Sequence, residues 1–208
     1  KAAGVNFTGY HNVTINPQTI AYKDLSNSVL NGVKFASRGY NKDLFEDVLL
    51  INTNFTGSVG ARIIPETVRH LAGGKMDSVT FSSQNNGDMF KDCDLSYMDF
   101  TGSYGAIVNP QVIYEKSLKS TNLTDALLVR NPSFDDCYVT KTTFSGQDVS
   151  LNPQTLRNKI IEHCHFNGVE FIGDDEMFKD IRILDNDFTG SKNAIIVLKE
   201  ITLLIPQS

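Results

Sequence analysis

The chain has no tryptophan, only three cysteines and six prolines in 208 residues, and no excess of positive charge. Each shortage excludes something. Cys93, Cys137 and Cys164 lie far apart with no Cys-x-x-Cys pair, so neither a disulfide framework nor a zinc site is indicated, and a reducing, cytosolic setting is the default. A formal charge of −5 and a pI near 5.3 provide no basic surface for neutralising a phosphate backbone, so direct nucleic-acid binding is not expected. No apolar run approaches the roughly 18 residues that span a bilayer, and no secretory leader pattern is seen. The first residue is Lys1 rather than Met, as expected of a domain cut from a longer protein.

What is present is repetitive. Hydrophobic residues make up 40% of the chain, enough for a sizeable core in a soluble protein. Thirteen phenylalanines against no tryptophan imply that one ring type fills one recurring slot. One phrase recurs as Asn6-Phe7-Thr8-Gly9, Asn54-Phe55-Thr56-Gly57, Asp99-Phe100-Thr101-Gly102, Thr143-Phe144-Ser145-Gly146 and Asp187-Phe188-Thr189-Gly190. A second keeps pace with it: Asn16-Pro17-Gln18-Thr19, Ile64-Pro65-Glu66-Thr67, Asn109-Pro110-Gln111-Val112 and Asn152-Pro153-Gln154-Thr155. The chain therefore reads as four near-copies of about 45 residues plus a remnant.

Within each copy, large apolar residues fall five apart, as in Val108, Ile113, Leu118, Leu123, Leu128, Phe134, Val139 and Phe144. A period of five fits neither an α-helix nor a flat strand. It fits a backbone that bends once every five residues around a square core. The central residue of each five then points inward, and by strand alternation so does the residue two before it. That second position is small or medium at Val33, Val48, Val79, Cys93, Ala106, Ala126, Cys137, Val149, Cys164, Val169, Ile181 and Ala194; Met98 is the largest and Asn186 a polar exception. Eight slots per copy give two coils, and the chain about nine. The second copy breaks the spacing with a step of three from Val68 to Leu71. Insertions are expected after each Phe-Thr-Gly and before Phe45, Phe90, Phe134 and Phe178. The Asn-Pro-Gln-Thr phrase suits either a helical turn capped by Asn or a simple corner. The apolar tail from about Ala194 to Ser208 is expected to cap the open core.

Phrases such as Cys93-Asp94-Leu95-Ser96-Tyr97, Met98-Asp99-Phe100-Thr101-Gly102 and Thr121-Asn122-Leu123-Thr124-Asp125 resemble those of the pentapeptide-repeat family. The family pattern is a small residue, Asp or Asn, Leu or Phe, then two polar residues. The resemblance covers nearly the whole chain and departs from the family in its paired-coil unit with regular insertions. It implies an all-β fold, a right-handed quadrilateral parallel β-helix over residues 1–208, and little about activity, the family being mostly non-enzymatic and functionally mixed; the chain reads as a non-catalytic scaffold with a protein partner and no small-molecule substrate, cofactor or metal. Two branches of the family are relevant. Some bacterial members mimic DNA and bind DNA gyrase; others form a rod in effectors injected by enteric pathogens, including HECT-like ubiquitin ligases. The second branch implies a bacterial protein secreted into a host cell, the first a bacterial cytoplasmic one.

Four clusters bear on function. Asp47, Asp92, Asp136 and Asp180 hold one equivalent position, beside Glu46, Lys91, Asp135 and Lys179, and form either a phosphate-mimicking column or a solvated face. His163-Cys164-His165 has metal-ligand composition, but the five-residue register turns Cys164 inward and both histidines outward, so the three cannot converge on one ion. Glu162, Glu170, Asp174, Asp175 and Glu176 crowd one stretch, without a cleft to make acid–base partners of them. Tyr10, Tyr40, Tyr97, Tyr104, Tyr114 and Tyr138 are candidates for a contact surface.

Overall fold

The computed structural model describes residues 2–36, 44–83, 88–145 and 149–195. Every strand pairing among them is parallel, and each joins a residue to one about a turn further along the chain. The longest ladder runs Asn6, Val29, Asn54, Lys75, Asp99, Asn122, Thr143, His165, Asp187. The residue after each rung points inward, so Phe7, Leu30, Phe55, Met76, Phe100, Leu123, Phe144, Phe166 and Phe188 stack in one file. All but the first and last are buried. Three more files complete a four-sided core, and this is the parallel β-solenoid that the five-residue period calls for.

The four sides differ. In chain order they are the Phe-Thr-Gly face just described, a bulged face (Phe35, Ile63, Phe81, Val108), a proline face (Phe45, Val68, Phe90, Ile113) and a leucine face (Leu25, Leu50, Leu71, Leu95, Leu118). Rings occupy three sides of alternate turns, except that the turn of Phe134 and Phe144 has Leu128 on the bulged face. Phe35, Phe45 and Phe55 lie with centroids 5.2–5.8 Å apart, and Phe81, Phe90 and Phe100 repeat the cluster at 5.3–5.8 Å. Intervening turns carry mainly aliphatic side chains, with Phe166 the exception, stacked between Phe144 and Phe188 at 5.7 and 5.3 Å. Close packing permits this alternation because a ring fills space that a Leu above or below leaves, and it accounts for a repeat two turns long.

The step of three is a local deletion. In the other copies two residues with left-handed backbone follow the slot on the proline face: Tyr22-Lys23 (φ 63° and 43°), Glu115-Lys116 (51° and 50°) and Asn158-Lys159 (59° and 47°). The second copy lacks this pair and runs directly from Val68 through Arg69 and His70 to Leu71. Leu71 still pairs with Leu50, so the slot is kept. The cost appears in the strand His70–Lys75, whose pairing with Asp94–Asp99 shifts between Ala72 and Gly74. Gly74 is required there: at φ 96° a Cβ would lie 2.4 Å from the Thr53 carbonyl oxygen.

The residue two before the slot is small and buried at Val33, Val48, Val79, Ala106, Ala126, Cys137, Val149, Cys164 and Val169, as expected, but it is Lys23, Arg69, Lys116 or Lys159 before the leucine-face slots of alternate turns; on the Phe-Thr-Gly face it is often a buried hydroxyl that the spacing argument passed over. Thr53 Oγ1 donates to the Leu25 carbonyl at 3.1 Å, Thr121 Oγ1 to Leu95 at 2.8 Å, and Thr142 Oγ1 to Leu118 at 2.6 Å. Asn186 Nδ2 does the same to Ile161 at 2.8 Å, so the polar exception belongs to the series. Each adds a side-chain donor to a carbonyl of the preceding turn; those of Leu25 and Leu118 also accept the amides of Ser28 and Thr121.

The Asn-Pro-Gln-Thr phrase forms a short 3-10 turn at Pro17–Thr19 and Pro153–Thr155, with the Asn16 and Asn152 side chains accepting from the amides of Gln18 and Gln154. In the other two copies it is a simple turn. Its glutamine reaches up to the next turn. Gln18 Nε2 donates to the carbonyls of Leu44 and Glu46, Gln111 Nε2 to Ser133 and Asp135, and Gln154 Nε2 to Met177 and Lys179. The second copy has Glu66 at this position. Its Oε1 accepts from Ser83, while Oε2 is buried without a partner. An ionised carboxylate cannot donate to the carbonyls that glutamine serves.

Of the remaining expectations, the C-terminal cap falls mainly on residues 196–208 and the insertion before Phe45 on 37–43, both outside the described residues.

Glu66→Gln is expected to stabilise the protein by about 1–2 kcal/mol, because it replaces a buried unpaired acceptor with a donor placed for the carbonyls of Met89 and Lys91. Urea unfolding at neutral pH measures this, and a lower midpoint for the variant would contradict it.

Candidate functional site

Among the described residues the solenoid presents long sides with shallow recesses, such as one of about 320 Å³ lined by Thr143, Ser145, His165, Asn167 and Asp187, so function must be sought in what each side presents. The aspartate column exists, and its first cause is backbone geometry. Asp47, Asp92, Asp136 and Asp180 have φ of 59°, 59°, 58° and 57°, the left-handed region that Asp and Asn tolerate better than other side chains. They mark one corner of every second turn. Two of the four are clamped by an arginine one turn further on. Arg69 grips Asp47 through two bonds of 2.8 Å, with Lys23 at 3.9 Å, and Arg157 grips Asp136 through bonds of 2.9 and 2.8 Å. The hydrogen bonds from Arg69 and Arg157 hold the Asp47 and Asp136 carboxyls below the ordinary 3.8. The position of Arg69 and Arg157 is Tyr114 in the third copy, so the turn above Asp92 offers a phenol instead. The column thus alternates clamped and unclamped acids and does not present an even line of negative charge.

Arg157 also covers Tyr138. Its guanidinium carbon lies 4.6 Å from the ring centroid, and Asn158 Nδ2 donates to the phenol oxygen at 3.2 Å. Tyr138 is therefore half-buried and held, unlike the free contact residue expected of it. Tyr10, Tyr97, Tyr104 and Tyr114 are exposed as anticipated, at 66%, 61%, 65% and 52%. They sit on different corners and do not form one patch. Tyr22, which the repeat spacing does not single out, is the most exposed tyrosine among the described residues at 81% and occupies the left-handed pair after Ile20. Tyr40 lies outside the described residues.

In His163-Cys164-His165, Cys164 is fully buried and both imidazoles face outward, His163 towards Asp185 at 3.7 Å and His165 towards Asp187 at 3.5 Å. The expected register holds. Burial pushes the Cys93 and Cys137 thiols up to about 12 and Cys164 to about 11, against an ordinary 9.0. The crowded carboxylates are dispersed by the fold. Glu162 on the leucine face pairs with Arg182, Glu170 on the bulged face accepts from Asn193 at 3.0 Å, and Glu176 in the insertion before Phe178 pairs with Lys179 at 2.7 Å. Among the described residues no helix is long and apolar enough to cross a membrane.

No family model and no curated protein matches the chain. Among solved structures it is similar to QnrB1, a plasmid-mediated fluoroquinolone resistance protein, at 11% identity over 91% of this chain and 87% of that one, with a TM-score of 0.29. It is also similar to HetL, a pentapeptide repeat protein involved in heterocyst differentiation regulation from the cyanobacterium Nostoc, at 14% identity over 91% and 85%, with a TM-score of 0.22. Neighbours this distant assign no residue. The solenoid class rests on the parallel ladders and inward files of the chain itself.

Two outcomes follow. Because the Asp47 and Asp136 carboxyls titrate lower folded than unfolded, their contribution is complete above the ordinary 3.8 and lost as pH falls through the folded values. In Arg69→Ala/Arg157→Ala the decline of stability on acidification below about pH 5 is therefore expected to be shallower; denaturant titrations from pH 5 to 2 giving the wild-type slope would contradict the clamps. Separately, the three cysteines are expected to resist a disulfide reagent at pH 8 in the native protein and to react at once in denaturant. Rapid native labelling would show that one of these slots opens.

Proposed function

We propose that this chain is a non-catalytic interaction scaffold that binds a protein partner, and specifically the partner-binding β-helix of a bacterial secreted effector. The observation that carries the scaffold reading is the division of labour in the side chains. Inward residues and corner hydroxyls satisfy the stack, while large aromatics such as Tyr22, Tyr97 and Tyr104 remain exposed on the outside. Exposed tyrosines are common anchors of protein interfaces, since they bury large area at low entropic cost. Any ligase chemistry would reside in a segment beyond these residues.

The reading as a gyrase-binding mimic of DNA needs a continuous anionic surface. The bidentate clamps Arg69–Asp47 and Arg157–Asp136 place cations into that column, which favours the effector reading over the mimic. A supercoiling assay with DNA gyrase and a quinolone separates the two. The purified chain is expected to leave inhibition unchanged, and protection rising with its concentration would replace the effector reading by the gyrase one.

A further inference from the structure

We propose that the bulged face is a self-association surface, on which a second copy of this chain packs antiparallel about a two-fold axis through the turn carrying Tyr104 and Ile107. The sides of the solenoid are not equally polar. On the Phe-Thr-Gly face the central outward rungs are Asn54, Lys75, Asp99, Asn122, Thr143 and His165. On the bulged face the central rungs mix apolar and polar side chains, with Thr80 between Val59 and Tyr104. Tyr104 and Ile107 share one turn, Leu127 pairs with Ile107 one turn on, and Val59 lies two turns before. These four are exposed at 65%, 37%, 61% and 57%. At about 4.8 Å per turn Tyr104, Ile107 and Leu127 lie side by side, with Val59 beyond Thr80 on the same regular sheet, exposed apolar area of the kind a monomer seldom leaves uncovered.

The charges on the same file select the occupant and its orientation. Three turns before Tyr104 the outward residue is Lys34; three turns after it is Glu170, whose carboxylate is held by Asn193 and which Lys192 follows one turn further on. Arg62 lies two turns before and Ser150 two turns after. A two-fold axis through the central turn therefore sets Lys34 of each copy against Glu170 of the other, Arg62 against Ser150 one rung from that carboxylate, and Thr80 against Leu127. Parallel packing would instead stack Lys34 on Lys34. A self-complementary patch of this kind is what an isologous dimer requires.

The bulges shape the strip. Gly60 and Gly105 interrupt the face at φ 76° and 72°, and a Cβ on Gly105 would come within 2.8 Å of the Phe81 carbonyl oxygen. The extra residues let Val59 pair with the turn below while Arg62 pairs with the turn above, and Tyr104 and Ile107 do the same in the next copy. Apolar side chains are thereby doubled on the central turn. A single side about nine turns long offers less than the roughly 800 Å² per partner of a standard interface, so the dimer is expected to be weak, with a dissociation constant of about 10–100 μM.

Sedimentation equilibrium of the chain from about 5 to 500 μM reads the association directly, spanning the expected constant. The wild type is expected to move from monomer towards dimer. Leu127→Asp, at an exposed position with unchanged circular dichroism and thermal unfolding, is expected to weaken association at least about tenfold, as burying an unpaired charge should. Lys34→Glu and Glu170→Lys are each expected to weaken it about three- to tenfold, and the double exchange to restore it. A mass that stays monomeric at every concentration overturns the proposal, as does a dimer indifferent to Leu127→Asp, which would mean association through another surface. Single exchanges that weaken without mutual rescue overturn the antiparallel arrangement.

Discussion

The parallel ladder between successive turns governs the rest of the molecule. Each turn has too few residues to satisfy its own amides, so every backbone group on a side must find its partner in the turn above or below. That requirement holds the turns at strand spacing and in register. Once spacing is fixed, a side chain pointing inward can meet only its three neighbours in the turn and the residues stacked on it. The alternation of ring-filled and aliphatic turns is a packing solution to this constraint, since successive turns of three rings each would overfill a channel of constant width. The same constraint explains why deleting two residues before Leu71 is absorbed at Gly73-Gly74, where the backbone has room to cut the corner, and not by sliding the ladder.

Corners are where the ladder is interrupted, and polar side chains concentrate there. Asn54 Oδ1 takes both the amide and the hydroxyl of Thr56, and Asp99 does the same for Thr101. Thr53, Thr121 and Thr142 serve the carbonyls behind the next corner. The aspartates of the left-handed column arise from the same need. Their charge is a by-product of a conformation that few side chains accept, and Arg69 and Arg157 partly cancel it.

The periodic part of this architecture was legible in the sequence because one rule, an apolar residue every fifth position, repeats often enough to be seen against noise. The file containing Phe55, Phe100, Phe144 and Phe188 follows from it directly. What escaped were features that depend on a residue about twenty positions away. Tyr138 looks free in the sequence because the guanidinium that covers it belongs to Arg157, one turn further on. Thr53 and Thr142 look like surface polars until their acceptors, a turn behind, are known; the available signal was that both sit two residues before a slot, as Met98 and Cys164 do. The apolar strip was hidden for a related reason. Ile107 and Leu127 each precede a slot by one residue, so a scan for inward positions counts their neighbours Val108 and Leu128 and passes over them.

The position of the strip along the rod matters as much as its composition. In a stacked repeat each turn is stabilised by its two neighbours, so the ends are the least protected parts. The files show it: Phe7, Ile15 and Ile20 at one end and Ile183 and Phe188 at the other are only partly buried, whereas the slots between Phe81 and Leu123 are buried throughout. A binding surface on the end turns would have to be ordered by its partner and would bind more weakly for it. Tyr104 and Ile107 instead sit over a turn whose slots are fully buried, and Leu127 over the turn that follows it. There the sheet is already rigid, and contact gains its full area without first ordering the protein beneath it.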